Sequence, residues 1–250
     1  MVAMRVRWQL SVALVALVAG LIGLAAAAAG VAGQVLPRKF SSAQQQQIMA
    51  WEASRRWLTR PAGKIFPATV RYQLPGYSLA SGSGLGLTAR RIGIARQATC
   101  GAGTDPSAAR VLARLGCSAL LRASYLDSTG SMVVTVGIAV LPTAADASAA
   151  TGKMSHGDQR GAAVRAVAFP GTLAASFGDS QRQLSLAGNV GPYLVISTAG
   201  YTDGMPHVSL SSDSYAAQEM NSVANGVADA VVLPLGAQPP TPHCPGAPGC

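Results

Sequence analysis

Three residue types able to do hydrolytic chemistry fall in order in the second half of the chain. Ser180 closes Gly178-Asp179-Ser180, and Asp203 and His207 bracket Asp203-Gly204-Met205-Pro206-His207. A serine becomes a nucleophile when a base lies within hydrogen-bond reach of its hydroxyl and a third group orients that base. The types are right, but nothing in the sequence places an oxyanion hole beside Ser180. The other histidines, His156 and His243, stand alone in polar or proline-rich stretches, and no His/Cys/Asp/Glu grouping has metal-ligand spacing. The 10 acidic residues are scattered, so no pair of carboxylates is marked for glycoside chemistry. The expectation is a non-enzyme with no catalytic residue, no cofactor and no metal.

Cysteine chemistry is easier to read. Cys100, Cys117, Cys244 and Cys250 are even in number, and none sits in a Cys-x-x-Cys pair or beside a histidine at zinc-ligand spacing. That pattern predicts disulfides. Three pairings are possible, and the favoured one joins Cys100 to Cys117 and Cys244 to Cys250, because each closes a short local loop. Ser81-Gly82-Ser83-Gly84-Leu85-Gly86 has neither the Gly-x-Gly-x-x-Gly spacing nor a Gly-Lys-Ser/Thr ending, and reads as a flexible loop. Arg90, Arg91 and Arg96 are the candidate anion-binding residues.

The elements that position these residues begin with an address. Residues 10–32 contain no charge and follow Arg5 and Arg7. A helix needs ~20 apolar residues to cross the hydrocarbon core, so this run predicts a transmembrane helix. The alternative is a cleaved signal peptide, with residues 10–24 as its apolar core and small-residue cleavage sites in 25–32. The downstream cysteines place the rest outside the cytoplasm. The division expected is a short cytoplasmic tail (1–9), the transmembrane helix (10–32), a helical stalk (33–64), an extracytoplasmic domain (65–235) and a Pro/Gly-rich tail (236–250). Localisation is then the cell membrane, single-pass, or secretion if the leader is cleaved.

With 49% hydrophobic and 12% charged residues, the chain can bury a core. The net charge of +9 suits an anionic envelope polymer or lipid, and the compartment disfavours nucleic acid. Periodicity predicts helices over 41–58, 105–115, 143–154 and 214–231, with Asp105 and Asp213 as N-caps. It predicts strands over 65–74, 163–169 and 192–201, and a hairpin over 119–141 turning at 127–130. In that hairpin Met132, Val134, Val136, Ile138 and Val140 form one heavy face. The fold class expected is α+β: an N-terminal transmembrane helix, then one extracytoplasmic domain with a mainly antiparallel sheet and helices packed on one side.

Two resemblances carry further implications. The Ser180 and Asp203/His207 blocks resemble the Gly-Asp-Ser-Leu esterases, but residue 181 is Gln where that family has Leu. Three residues separate Asp203 from His207 where that family has two, and Ser180 comes late in the chain. Trp57-Leu-Thr-Arg-Pro-Ala-Gly-Lys-Ile-Phe-Pro67, the Cys100 to Cys117 loop with Asp105-Pro106, and Arg122-Ala-Ser-Tyr-Leu-Asp-Ser-Thr-Gly-Ser-Met-Val-Val-Thr-Val-Gly-Ile-Ala-Val140 together resemble uncharacterised single-pass actinobacterial envelope proteins. The disulfide-tied helix and sheet are more weakly similar to extracellular sensor domains of mycobacterial Ser/Thr kinases. The motifs of the second resemblance are structural, and the functional expectation rests on the apolar segment, the basic exported part and the lack of a marked active site: a membrane-anchored, extracytoplasmic binding or sensor-like protein, with a membrane protein, envelope polymer or lipid as partner. The alternatives are an accessory subunit of an envelope or secretion complex, and a secreted serine hydrolase using Ser180, Asp203 and His207.

Overall fold

Residues 132–140 set large apolar side chains at alternating positions with small ones between, and the fold is built around this stretch. The computed structural model describes residues 40–74, 85–155, 163–208 and 214–242. The described residues fall into two units, 40–49 with 240–242, and 50–239. In the first, Ser41 caps the start of a helix: its Oγ accepts the Gln44 N–H at 3.3 Å, and Gln44 Oε1 accepts the Ser41 N–H at 2.9 Å.

The elements in chain order are α1 (Ser42–Thr59), α2 (Ala62–Ile65), β1 (Thr69–Leu74), β2 (Leu85–Ile94), α3 (Pro106–Arg114), β3 (Ala119–Asp127), β4 (Met132–Val140), α4 (Ala144–Ser155), a 3-10 turn (Asp179–Gln181), β5 (Arg182–Val190), β6 (Tyr193–Tyr201) and α5 (Tyr215–Gly236). The strands form one six-stranded sheet in the order β1-β2-β3-β4-β6-β5. Every pairing is antiparallel.

Each face of this sheet has its own cover. On one face, Tyr72, Tyr125, Val134, Val136, Ile138 and Val195 pack with Met220, Val223, Val227 and Val231 of α5. On the other, Leu120, Ala139, Leu194 and Ile196 meet Leu112 of α3 and Ala147, Ala150 and Met154 of α4. All nine residues of β4 are therefore buried. This corrects the expectation of helices on one side only. The small positions of β4 are small because something lies close: a Cβ on Gly137 would stand 2.8 Å from a methyl of Val164. Thr135 behaves likewise, its hydroxyl bonding Ser124 Oγ at 2.8 Å and accepting the Val167 N–H at 3.1 Å.

The α+β class and antiparallel sheet stand, but the membrane reading does not. Residues 10–32 lie outside the described residues. Among the described residues no helix is long and apolar enough to cross a membrane. That corrects the single-pass fold, the cell-membrane location, the membrane-anchored function and the membrane as a partner through a single-pass anchor.

Two strands escaped the periodicity. β2 carries Arg90 and Arg91 in its middle, and β5 (Arg-Gln-Leu-Ser-Leu-Ala-Gly-Asn-Val) is an edge strand of small and polar residues, half-buried throughout. The strand expected at 163–169 makes only a single bridge, Val164 to Thr104. α5 starts where Ser214 Oγ accepts the Ala217 N–H at 3.2 Å; Asp213, the expected cap, lies outside the described residues.

The Cys100–Cys117 disulfide is present and brackets α3, whose Ala108 and Leu112 are fully buried. Cys244 and Cys250 lie outside the described residues. Loop-closure entropy assigns a bridge of this span about 3 kcal/mol. Replacing both Cys100 and Cys117 by serine is expected to lower the unfolding free energy by about that amount, read from urea denaturation, and reduction of the native protein should reproduce the loss.

Candidate functional site

Arg182 opens β5, and its side chain joins three segments of the chain. Its Nη1 donates to Asp105 Oδ2 at 2.7 Å and its Nη2 to Asp105 Oδ1 at 3.1 Å. Nε donates to the Asp179 carbonyl at 3.1 Å, and Nη1 also reaches the Val164 carbonyl at 3.4 Å. Both partners are shielded, at 12% and 9% side-chain exposure, so water screens the pair little. Asp105 sits at the N-cap position before Pro106, as the sequence predicts, but its side chain makes no cap hydrogen bond. The carboxylate is given to Arg182 and to the Ala163 N–H at 3.2 Å.

The segment carrying His207 is held against this hub. The His207 N–H donates to the Ser180 carbonyl at 3.0 Å, and its ring Nδ1 lies 2.9 Å from the Arg182 carbonyl. A carbonyl can only accept, so Nδ1 is the donor in this contact. Gln183 completes the strap: Oε1 accepts the Val208 N–H at 2.9 Å, and Nε2 donates to the Pro206 carbonyl at 2.9 Å. Asp179, Ser180, Arg182, Gln183, Leu184, Ser185 and His207 line a cavity of about 130 Å³.

Two of the three residues expected for a relay thus meet in one cleft without forming one. The Ser180 hydroxyl donates to Gln181 Oε1 at 3.0 Å, not to the imidazole. Asp203 closes its own turn by accepting the Met205 N–H at 2.9 Å. His207 is oriented by a backbone carbonyl in place of a carboxylate.

Approach of the 3-10 turn to the sheet depends on Gly200 of β6. A Cβ there would stand 2.4 Å from the Gln181 carbonyl oxygen and 2.7 Å from the Phe177 ring. Neither Gly200 nor the Asp105–Arg182 pair carries a local sequence signal, since the pair spans 77 positions.

The other sequence candidates lie apart from this cleft. Arg90 and Arg91 are adjacent on β2 and point to opposite faces. Arg90 is exposed, whereas Arg91 donates to the carbonyl oxygens of Phe66 and, at 3.4 Å, Gly63, closing the end of α2. Arg96 is exposed beyond the strand. The geometry brings no two of these arginines onto one face of the strand. His156 and His243 lie outside the described residues. Among the described residues, no group of three or more His, Cys, Asp or Glu side chains could hold a metal ion. No family model matches the chain, and no curated protein or solved structure is found to be similar to it.

Gly200→Ala is expected to cost about 1–3 kcal/mol of stability, because the turn must move off the sheet. His207→Ala should cost about 1 kcal/mol through the lost bond to Arg182, while Ser180→Ala should stay within about 0.5 kcal/mol of the parent. Denaturant unfolding of the three variants checks the order.

Proposed function

We propose that the chain is a non-catalytic binding domain whose cleft at the foot of β5 takes a small uncharged polar group. The observation that carries this reading is the bonding state of the cleft. Its one cation, Arg182, is committed to Asp105, while Ser180 and His207 line the cavity with no hydrogen bond between their side chains. Arg182 also lies 3.7 Å from the Asp179 carboxylate, so no cation is left for an anionic ligand, and a hydroxyl and an imidazole supply the hydrogen bonding. Size narrows the ligand further: about 130 Å³ is well below the ~300–1,000 Å³ of pockets for drug-sized molecules. A molecule of a few heavy atoms, or one polar side chain, fills it.

Titrating acetamide into the isotopically labelled protein is expected to shift amide resonances of residues 179–185 and 207, and His207→Ala should remove the response. Absence of any shift there contradicts the binding site. Hydrolysis of p-nitrophenyl acetate by the parent protein that disappears in Ser180→Ala contradicts the non-catalytic reading.

A further inference from the structure

At the other end of the α5-covered face, negative charge gathers with no cation to meet it. Tyr72 of β1 is 4% exposed, and its hydroxyl is buried with no hydrogen-bond partner among the described residues. Buried hydroxyls are rarely left so. Tyr72 shares its face with Asp127 of β3, through Ala89 of β2, and with Tyr201 at the end of β6. α5 lies directly on this corner, since a Cβ on Gly226 would stand 2.4 Å from Tyr72 Cβ. Two turns earlier on the helix comes Glu219, with Tyr215 one turn before it.

The Tyr72 hydroxyl lies within electrostatic range of the Asp127 and Glu219 carboxylates and of the Tyr215 phenol. Burial first and then those two carboxylates push the Tyr72 phenol up, and burial and Asp127 push the Glu219 carboxyl up. No arginine or lysine offsets them, and neither carboxylate joins an ion pair among the described residues. In a chain of net charge +9 this is an uncompensated negative corner.

We infer that this corner binds an alkylammonium group, with Glu219 as its counter-ion, the Tyr72 hydroxyl as its hydrogen-bond acceptor and the rings of Tyr201 and Tyr215 as its walls. Asp127 supplies field but no ligand atom. Its Oδ1 accepts the Met132 N–H at 2.7 Å, and its Oδ2 accepts the Thr129 N–H at 2.9 Å and the Thr129 hydroxyl. One carboxylate and a phenol are too few oxygens for Ca²⁺, which takes 6–8. An ammonium needs fewer, because aromatic faces attract it as well. Glu219 is half-buried and Tyr215 is exposed, so both are reached by solvent at the start of α5.

The test compares thermal unfolding of the full chain in methylammonium chloride with that in sodium chloride at equal ionic strength. Saturable stabilisation specific to methylammonium is the expected result, with at least a tenfold loss of apparent affinity in Tyr72→Phe and in Glu219→Gln. Tyr72→Phe should unfold in sodium chloride no lower than the parent, showing that the loss is not misfolding. Competition by Nα-acetyl-lysine methylamide assigns the group to a partner's lysine; binding of methylammonium alone assigns it to a free amine. A parent protein that responds alike to both salts overturns the inference, as does a Tyr72→Phe and Glu219→Gln pair that responds like the parent.

Discussion

The bidentate pair between Asp105 and Arg182 joins parts of the molecule that nothing in the local chain would bring together. Asp105 ends the disulfide-bracketed loop at the start of α3, and Arg182 begins the edge strand β5. Between them lies the segment from 163 to 165, held by both: the Ala163 N–H bonds the Asp105 carboxylate, and the Val164 carbonyl accepts from Arg182. Arg165 adds a donor to the Thr104 carbonyl at 3.1 Å. A buried pair of this kind is costly to desolvate and costly to break, because removing one partner strands the other's charge. Its value here is placement. The backbone of Arg182 then presents the carbonyl that orients His207, so the cleft inherits its geometry from the pair.

Two-sided burial of the sheet imposes the second constraint. Helices on both faces need alternate small and large residues on the central strands, and β4 supplies them with Gly137 and Ala139 toward α3 and α4 and the bulky set toward α5. The same need for close approach recurs at Gly200 under the 3-10 turn and at Gly226 over Tyr72. Glycine in these places is a packing requirement, and each glycine sits beside one of the two proposed sites. Fold and recognition therefore share residues.

The sequence disclosed what local chemistry controls. Asp105-Pro106 marked the start of α3, Asp127 to Gly130 the hairpin, the Cys100 to Cys117 spacing the bridge, and the apolar stripe over 214–231 the last helix. It misled where a residue's role is set by a distant partner. The small alternating positions in β4 did not show that helices cover both faces, because small residues at a two-residue period fit close packing and a light face alike. Arg90 and Arg91 read as one basic cluster because neighbours in sequence diverge on a strand. Asp105 read as a helix cap because its real partner lies far along the chain. Ser180 and His207 were visible as types, and they do meet, but the groups that hold them are backbone carbonyls and glutamines that carry no motif.

The central claim is that Asp105 and Arg182 act as one buried unit that sets the cleft. A double-mutant cycle with Asp105→Asn, Arg182→Gln and both together, read by denaturant unfolding, measures it most directly. A buried unit predicts a coupling energy above about 2 kcal/mol, with each single variant losing nearly as much stability as the double. Additive losses, with coupling below about 0.5 kcal/mol as for an exposed ion pair, would contradict the account.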